Sequence, residues 1–180
     1  TIETRGLHGF QLWFNLPAAD KMEPPRYRDI PLEQLTCVDT DGWSATVVAG
    51  DWQLDGQSIV GPLAELTPQA SLLDLNLGSA MDVVLSVALE DSALAYVYDG
   101  SIRRQRDTVT AGHLAIATGG DTWRITAGAA GARLLVMTGR PIGEPVVGYG
   151  PFVMNTRAEI EQAIADYQQG VFIRHKPNTE

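Results

Sequence analysis

Cysteine is almost absent from this 180-residue chain. Cys37 stands alone, which excludes an intrachain disulfide and makes a reducing compartment, the cytoplasm, the expected location. Histidine is nearly as scarce: His8, His113 and His175 are scattered, and none belongs to an H-x-H or H-E-x-x-H spacing that would gather metal ligands. Basic residues are outnumbered, 13 Lys and Arg against 22 Asp and Glu. The net charge of −9 argues against nucleic-acid binding, because phosphate recognition needs a basic surface. No apolar run approaches the ~20 residues that cross a bilayer, so no membrane helix is expected. Nucleophile motifs are missing as well. There is no G-x-S-x-G elbow and no P-loop, and Gly119-Gly120-Asp121 is too short to cradle a phosphate. Cys37, in Leu35-Thr36-Cys37-Val38, has no adjacent histidine to lower its pKa and is expected to be a buried or inert thiol. Glu90-Asp91 reads as a turn rather than an acid–base couple.

What remains is an ordinary globular composition, 44% hydrophobic and 19% charged, enough for one barrel-sized domain with extra arms. The chain opens at Thr1 without a basic n-region or an apolar h-region, so a signal peptide is not expected. It then enters Gly9-Phe10-Gln11-Leu12-Trp13-Phe14-Asn15-Leu16-Pro17, an abrupt apolar start that suggests excision from a longer polypeptide. Residues 1–36 read as this apolar strand followed by a connector stiffened by Pro24, Pro25 and Pro31.

From 37 to 154 short apolar runs alternate with turn dipeptides, Asp41-Gly42, Asp55-Gly56, Asp99-Gly100 and Gly119-Gly120. The spacing predicts strands over Trp43–Ala49, Leu72–Leu77, Asp82–Leu89, Ala93–Tyr98, His113–Thr118, Thr122–Thr126 and Ala132–Thr138, an all-β barrel or double sheet. Residues 155–172 hold the one expected helix. Thr156-Arg157-Ala158-Glu159 fits a capping box; Ile160, Ala163, Ile164 and Tyr167 form one apolar stripe, and Gly170 suits the position after the helix. Glu159, Glu161 and Asp166 are expected on or beside its solvated face. Residues 173–180, with His175, read as a polar tail. Trp13, Trp43, Trp52 and Trp123 lie on or beside strands, where core packing is the commoner use.

Two segments are more specific. One runs from His8 through Gln11-Leu12-Trp13-Phe14-Asn15-Leu16-Pro17-Ala18-Ala19-Asp20-Lys21-Met22 to Pro25-Arg26-Tyr27. The other is Gly143-Glu144-Pro145-Val146-Val147-Gly148-Tyr149-Gly150-Pro151-Phe152-Val153-Met154-Asn155-Thr156. Together they resemble the pirin family of the cupin superfamily, from about residue 8 to 172; residues 95–136 resemble it more loosely. The resemblance implies a cupin-type β-barrel (a double-stranded β-helix, or jelly roll) with one C-terminal helix, the second barrel of a two-barrel protein. It further implies that iron belongs to the first barrel, on three histidines and a glutamate that precede the Gln-Leu-Trp strand. None of those ligands maps onto this sequence, and the stretch from Val87 to Gly100 has no histidine where a cupin places its H-x-H.

Three functional readings follow from these expectations. In the first, the chain is a metal-free module acting as scaffold or protein-interaction domain, with no catalytic, cofactor-binding or metal-ligating residue of its own. In the second, it is part of an iron-dependent dioxygenase of the quercetin 2,3-dioxygenase type. In the third, a cavity lined by Tyr96, Tyr98, His113 and Trp123 binds a small molecule. Strand alternation puts Tyr96 and Tyr98 on one face and leaves open which face is interior. The 9–17 strand, apolar on both sides, needs cover: it is expected to pack on its own barrel or to pair two copies into a homodimer. No partner protein is identified by the residues.

Overall fold

The computed structural model describes residues 8–63, 70–104, 107–117, 119–173 and 178–179. Thr1, Thr118 and His175 lie outside the described residues. The strands are β1 (Arg26–Tyr27), β2 (Thr36–Asp39), β3 (Trp43–Ala49), β4 (Asp51–Leu54), β5 (Gln57–Val60), β6 (Ala70–Leu77), β7 (Asp82–Ser86), β8 (Ser92–Arg104), β9 (Asp107–Thr110), β10 (His113–Ala117), β11 (Thr122–Gly139), β12 (Val147–Tyr149) and β13 (Phe152–Met154). Helix α1 (Arg157–Gln168) follows, and β14 (Asn178–Thr179) pairs in parallel with β1.

Period-two alternation dictates the barrel. In β3 each residue in turn is buried or half-buried, Trp43, Ala45, Val47 and Ala49 facing inward. Strands β2 to β11 form one antiparallel sheet, ordered β2-β3-β6-β11-β7-β4-β5, with β8 joined to β11 and carrying β9 and β10. β11 ties the halves together: Thr122–Thr126 pair with β7, Ala132–Gly139 with both β6 and β8, and Thr126 and Ala127 with Arg103 and Ile102 of β8. The two strands expected within it are one, continuous through residues 128–131, where the ladder to β8 shifts register. Asp99-Gly100 is likewise no hairpin turn but lies inside β8 at that shift, with Gly100 at φ +67°. Asp55-Gly56 is a turn. Positive φ at both residues, 46° and 78°, closes the β4–β5 hairpin.

The interior is hydrocarbon. Trp43, Val47, Trp52, Leu54, Leu73, Leu75, Leu77, Val83, Leu85, Val97, Ile125, Leu134 and Val136 are at most 5% exposed. Full burial of such a side chain stabilises by about 1.5–3 kcal/mol. The Trp52 indole N–H donates to the Ala49 carbonyl at 3.0 Å, so its polar edge is satisfied.

A smaller cluster sits outside the barrel, where Ile160 and Ala163 of α1 pack on Met154 with Met22, Phe152 and Phe172. The expected capping box is present: the Glu159 amide donates to the Thr156 hydroxyl, and the Thr156 amide donates to Glu159 Oε2 at 2.7 Å. Two positions of α1 differ from expectation. Asp166 is buried, accepts from Gln162 at 2.6 Å, and faces a cavity it shares with Ala18, Lys21 and Met22. Tyr167 is exposed, with an edge contact to Phe152. Cys37 is exposed too, rather than buried, on edge strand β2 with Sγ 3.7 Å from the Thr46 hydroxyl. Residues 9–17 are not a strand; rings rather than a backbone ladder hold them to the barrel. Among the described residues no helix is long and apolar enough to cross a membrane.

Candidate functional site

Alternation along β8 sends Ala93, Ala95 and Val97 into the barrel core and leaves Leu94, Tyr96 and Tyr98 on the outer face. The four cavity candidates are therefore not brought together. Tyr96 and Tyr98 face away from the interior. His113 shares the inward parity of Ala115 but stands at the start of β10 with an exposed ring, its Nδ1 3.2 Å from the Thr110 carbonyl. Trp123 packs against the core edge and lines a recess of about 40 Å³ with Val87, Asp91 and Thr122, room for water rather than for a substrate.

The outer face is where the structure gathers rings and apolar side chains. Cross-strand register builds two rows. Asp74, Leu135, Tyr96 and Leu114 form one, and Leu72, Met137, Leu94 and Ile116 the other. Phe10 lies over the first row, its ring 6.1 Å from Tyr96 and 5.2 Å from Tyr98; His8 is 5.7 Å from Tyr98. The Tyr98 hydroxyl donates to Asp74 at 2.7 Å, and the Arg133 guanidinium sits 5.1 Å from the ring centroid. Burial first, and then the hydrogen bond to Asp74, pushes the Tyr98 phenol up to about 12. On β10 the cover ends: Leu114 is 48% and Ile116 51% exposed. Trp13 of the N-terminal segment is 79% exposed. Sequence reasoning missed Asp74, Arg133, Leu114 and Ile116. The available signal was apolar character at both odd and even positions of residues 93–98 and 114–117.

A second cluster joins the two family-like segments. Glu144 Oε2 accepts from the Ala18 amide at 2.8 Å and from Asn155 Nδ2 at 2.7 Å. Lys21 donates to Asn15 at 2.6 Å within the arm. Beside them a cavity of about 110 Å³ is lined by Met22, Met154, Gln162, Asp166 and Phe172, among others. Glu159 closes the helix end, its carboxyl held below the usual carboxylate range chiefly by the Thr156 hydroxyl.

Iron does not fit the barrel interior. The inward positions carry hydrocarbon side chains, His113 is outside them, and among the described residues no group of three or more His, Cys, Asp or Glu is placed to hold a metal.

Comparison with known proteins agrees with this architecture. Residues 72–173 match the model of the pirin C-terminal cupin domain. The chain is 40% identical over 167 residues to a Vibrio cholerae protein named as a proposed quercetin 2,3-dioxygenase, covering 92% of this chain and 59% of that protein. It is 33% identical to Pirin-1 of Arabidopsis thaliana, covering 89% of this chain and 56% of that one. The crystal structure of a quercetin 2,3-dioxygenase from Acinetobacter baumannii superposes with a TM-score of 0.79 at 31% identity, over 89% of this chain and 55% of that one. The chain thus spans well under two thirds of each relative's length. With a cupin-type barrel, a capped C-terminal helix and a matching domain model over more than half of its residues, the chain belongs to the pirin family.

Proposed function

We propose that this chain is the scaffold half of a two-barrel pirin, a barrel without a metal centre or catalysis of its own, whose outer face docks the first barrel. The observation that supports this is the pair of apolar rows on that face, left open at Leu114 and Ile116. Apolar surface of this kind marks an interaction site when it is contiguous. The occupant is argued from length: the chain covers 59% of the Vibrio relative, so 100 − 59 leaves 41% of that protein, the part that supplies the first barrel in this reading. A reducing cytoplasm suits the exposed thiol of Cys37. The test is sedimentation of this chain with the uncovered part of the Vibrio relative supplied as a separate folded polypeptide. Association that is lost in Ile116→Glu supports the reading. Absence of association between two folded partners, or equal association of Ile116→Glu, refutes it. In the absence of a partner the same face, together with residues 9–17, is expected to pair two copies, seen as concentration-dependent mass in light scattering.

The whole protein is read as an iron-dependent dioxygenase of quercetin-like flavonols, which the name and 31% identity of the Acinetobacter structure favour. Its metal belongs to the first barrel in this proposal. Elemental analysis decides where: stoichiometric iron on this chain by itself would overturn the metal-free reading.

A further inference from the structure

Residues 15–22 and 143–156 are more than a hundred positions apart in sequence and meet at one carboxylate. The hydrogen bond from the Ala18 amide to Glu144 Oε2 ties residues 15–22 to the 143–156 segment, beside the packing of Met22 on the Met154 cluster. Within the stretch Lys21 donates to Asn15 and the Asp20 amide to the Pro17 carbonyl, while the Lys21 charge also acts on the Glu159 carboxylate. Upstream, residues 8–17 have no strand ladder and rest on the Tyr96 and Tyr98 rings. Asn155 is arranged to serve the carboxylate. Its Nδ2 donates to Glu144 and, at 3.1 Å, to the Pro145 carbonyl, and its backbone amide donates to Glu159. That orientation leaves Asn155 Oδ1 buried without a partner, a cost accepted where the amide's donors matter more than its acceptor.

We propose that Glu144 is a clasp that fixes the direction in which the N-terminal arm leaves the barrel, and a release point at which residues 15–20 loosen while Met22 stays packed and the barrel stays folded. Asn155 is its positioning residue. The chemistry is one negative charge collecting two N–H donors from distant segments, stronger than neutral pairing and lost when the charge is removed. The hold is local because the barrel core does not pass through Glu144, and Met22 anchors the end of the stretch to the Met154 cluster independently of the carboxylate. Its significance rests on the two-barrel reading: there the arm is the connection between barrels, and the clasp sets their relative placement.

The test is amide hydrogen exchange on the full chain, read at Ala18 and at Leu134 of β11. Exchange at Ala18 is expected to accelerate about ten- to a hundredfold in Glu144→Ala, with Glu144→Gln intermediate and Asn155→Ala similar to Glu144→Gln. Leu134 is expected to keep its protection in all three, and trypsin cleavage after Lys21 to follow the same order. Unchanged exchange at Ala18 in Glu144→Ala overturns the clasp. So does equal loss of protection at Leu134, or unfolding of both Glu144→Gln and Asn155→Ala, since Glu144 would then hold the barrel itself. The measurement needs no first barrel, whereas docking is read through Ile116, so the failure of one leaves the other standing.

Discussion

Gly100→Ala separates a conformational cost from a packing cost in one strand pairing. Gly100 holds φ +67° where β8 passes the register shift of β11, and an added Cβ would overlap the Gly131 carbonyl oxygen and lie 3.1 Å from Ala132 Cα. Both are backbone atoms, so no rotamer change relieves the contact. The left-handed conformation alone costs an alanine about 1–2 kcal/mol. Relief of the clash requires β8 to lift from β11, which loosens about two ladder bonds where Gly100 pairs with Ala132 at the register shift. At about 0.5–1.5 kcal/mol net for each bond, this adds roughly 1–3 kcal/mol. The expected total is about 2–5 kcal/mol, a large share of the ~5–15 kcal/mol that holds a typical domain. Gly112 is the control: its φ is +85°, and nothing lies within 4 Å of an added Cβ. Gly112→Ala should therefore show only the conformational part, about 1–2 kcal/mol. Denaturant titration with unchanged slope measures both. Equal destabilisation by the two substitutions, within about 0.5 kcal/mol, would refute the close approach of β8 and β11.

Two further measurements follow from charge and capping. The Tyr98 phenol, raised from 10.0 to about 12 by burial and by Asp74, favours its protonated form in the folded chain. The stability it confers is whole below pH 10 and is lost as pH rises toward 12; ultraviolet titration should show one late-ionising tyrosine that moves toward the ordinary value in Asp74→Asn, and a titration unaltered by that substitution would contradict the contact. Thr156→Ala removes the hydroxyl of the capping box and should cost about 1 kcal/mol, with faster amide exchange over the first turn of α1. Because that hydroxyl is the chief reason the Glu159 carboxyl titrates low, the cap's contribution is present above the ordinary carboxyl pKa and fades as pH falls below it. A Glu159 titration unmoved by Thr156→Ala would count against the reciprocal cap.

Strand β3 has the bounds that alternation predicts, Trp43–Ala49, since each of its core residues is separated by one half-buried neighbour. The helix was equally readable, because a capping box and a glycine stop are written locally: Thr156 and Glu159 make their bonds, and Gly170 takes φ +73°. What failed depended on partners distant in sequence. Asp99-Gly100 has the composition of a turn, and only the approach of Gly131 makes it a bulge within a strand. Asp166 looks solvated on a helical wheel, yet it faces a cavity walled in part by Ala18, Lys21 and Met22, residues far away in sequence. Tyr96 and Tyr98 were recognisable as a pair on one face. Which face that was depended on Ala95 and Val97 being the residues that fit between β11 and the core. The clasp was half visible: both segments stood out as unusual, yet no local pattern announces that Glu144 reaches Ala18.

The outer face also accounts for an oddity in the strand composition. A sheet with one wet side reads as strict alternation, whereas strands covered on both sides read as near-continuous apolar runs. Residues 43–47 of β3 and 73–77 of β6 follow the first rule, since Ser44, Thr46, Asp74 and Asn76 alternate with their core residues. The neighbouring stretches of β8, β11 and β10 follow the second: Leu94 and Tyr96, Leu135 and Met137, and Leu114 and Ile116 are apolar on the side away from the core. The change from one rule to the other occurs within a single sheet, so it reflects what lies above each strand rather than a general preference for hydrophobic residues. Phe10 and His8 cover the part nearest Tyr98, and the cover gives out toward Leu114 and Ile116. A barrel whose interior is already filled by Leu, Val and Trp gains nothing in its own core from these outward residues. Leu114 and Ile116, the exposed ones, gain only against a second apolar surface, which in the proposed reading makes Ile116, rather than any residue of the interior, the position at which docking should be broken.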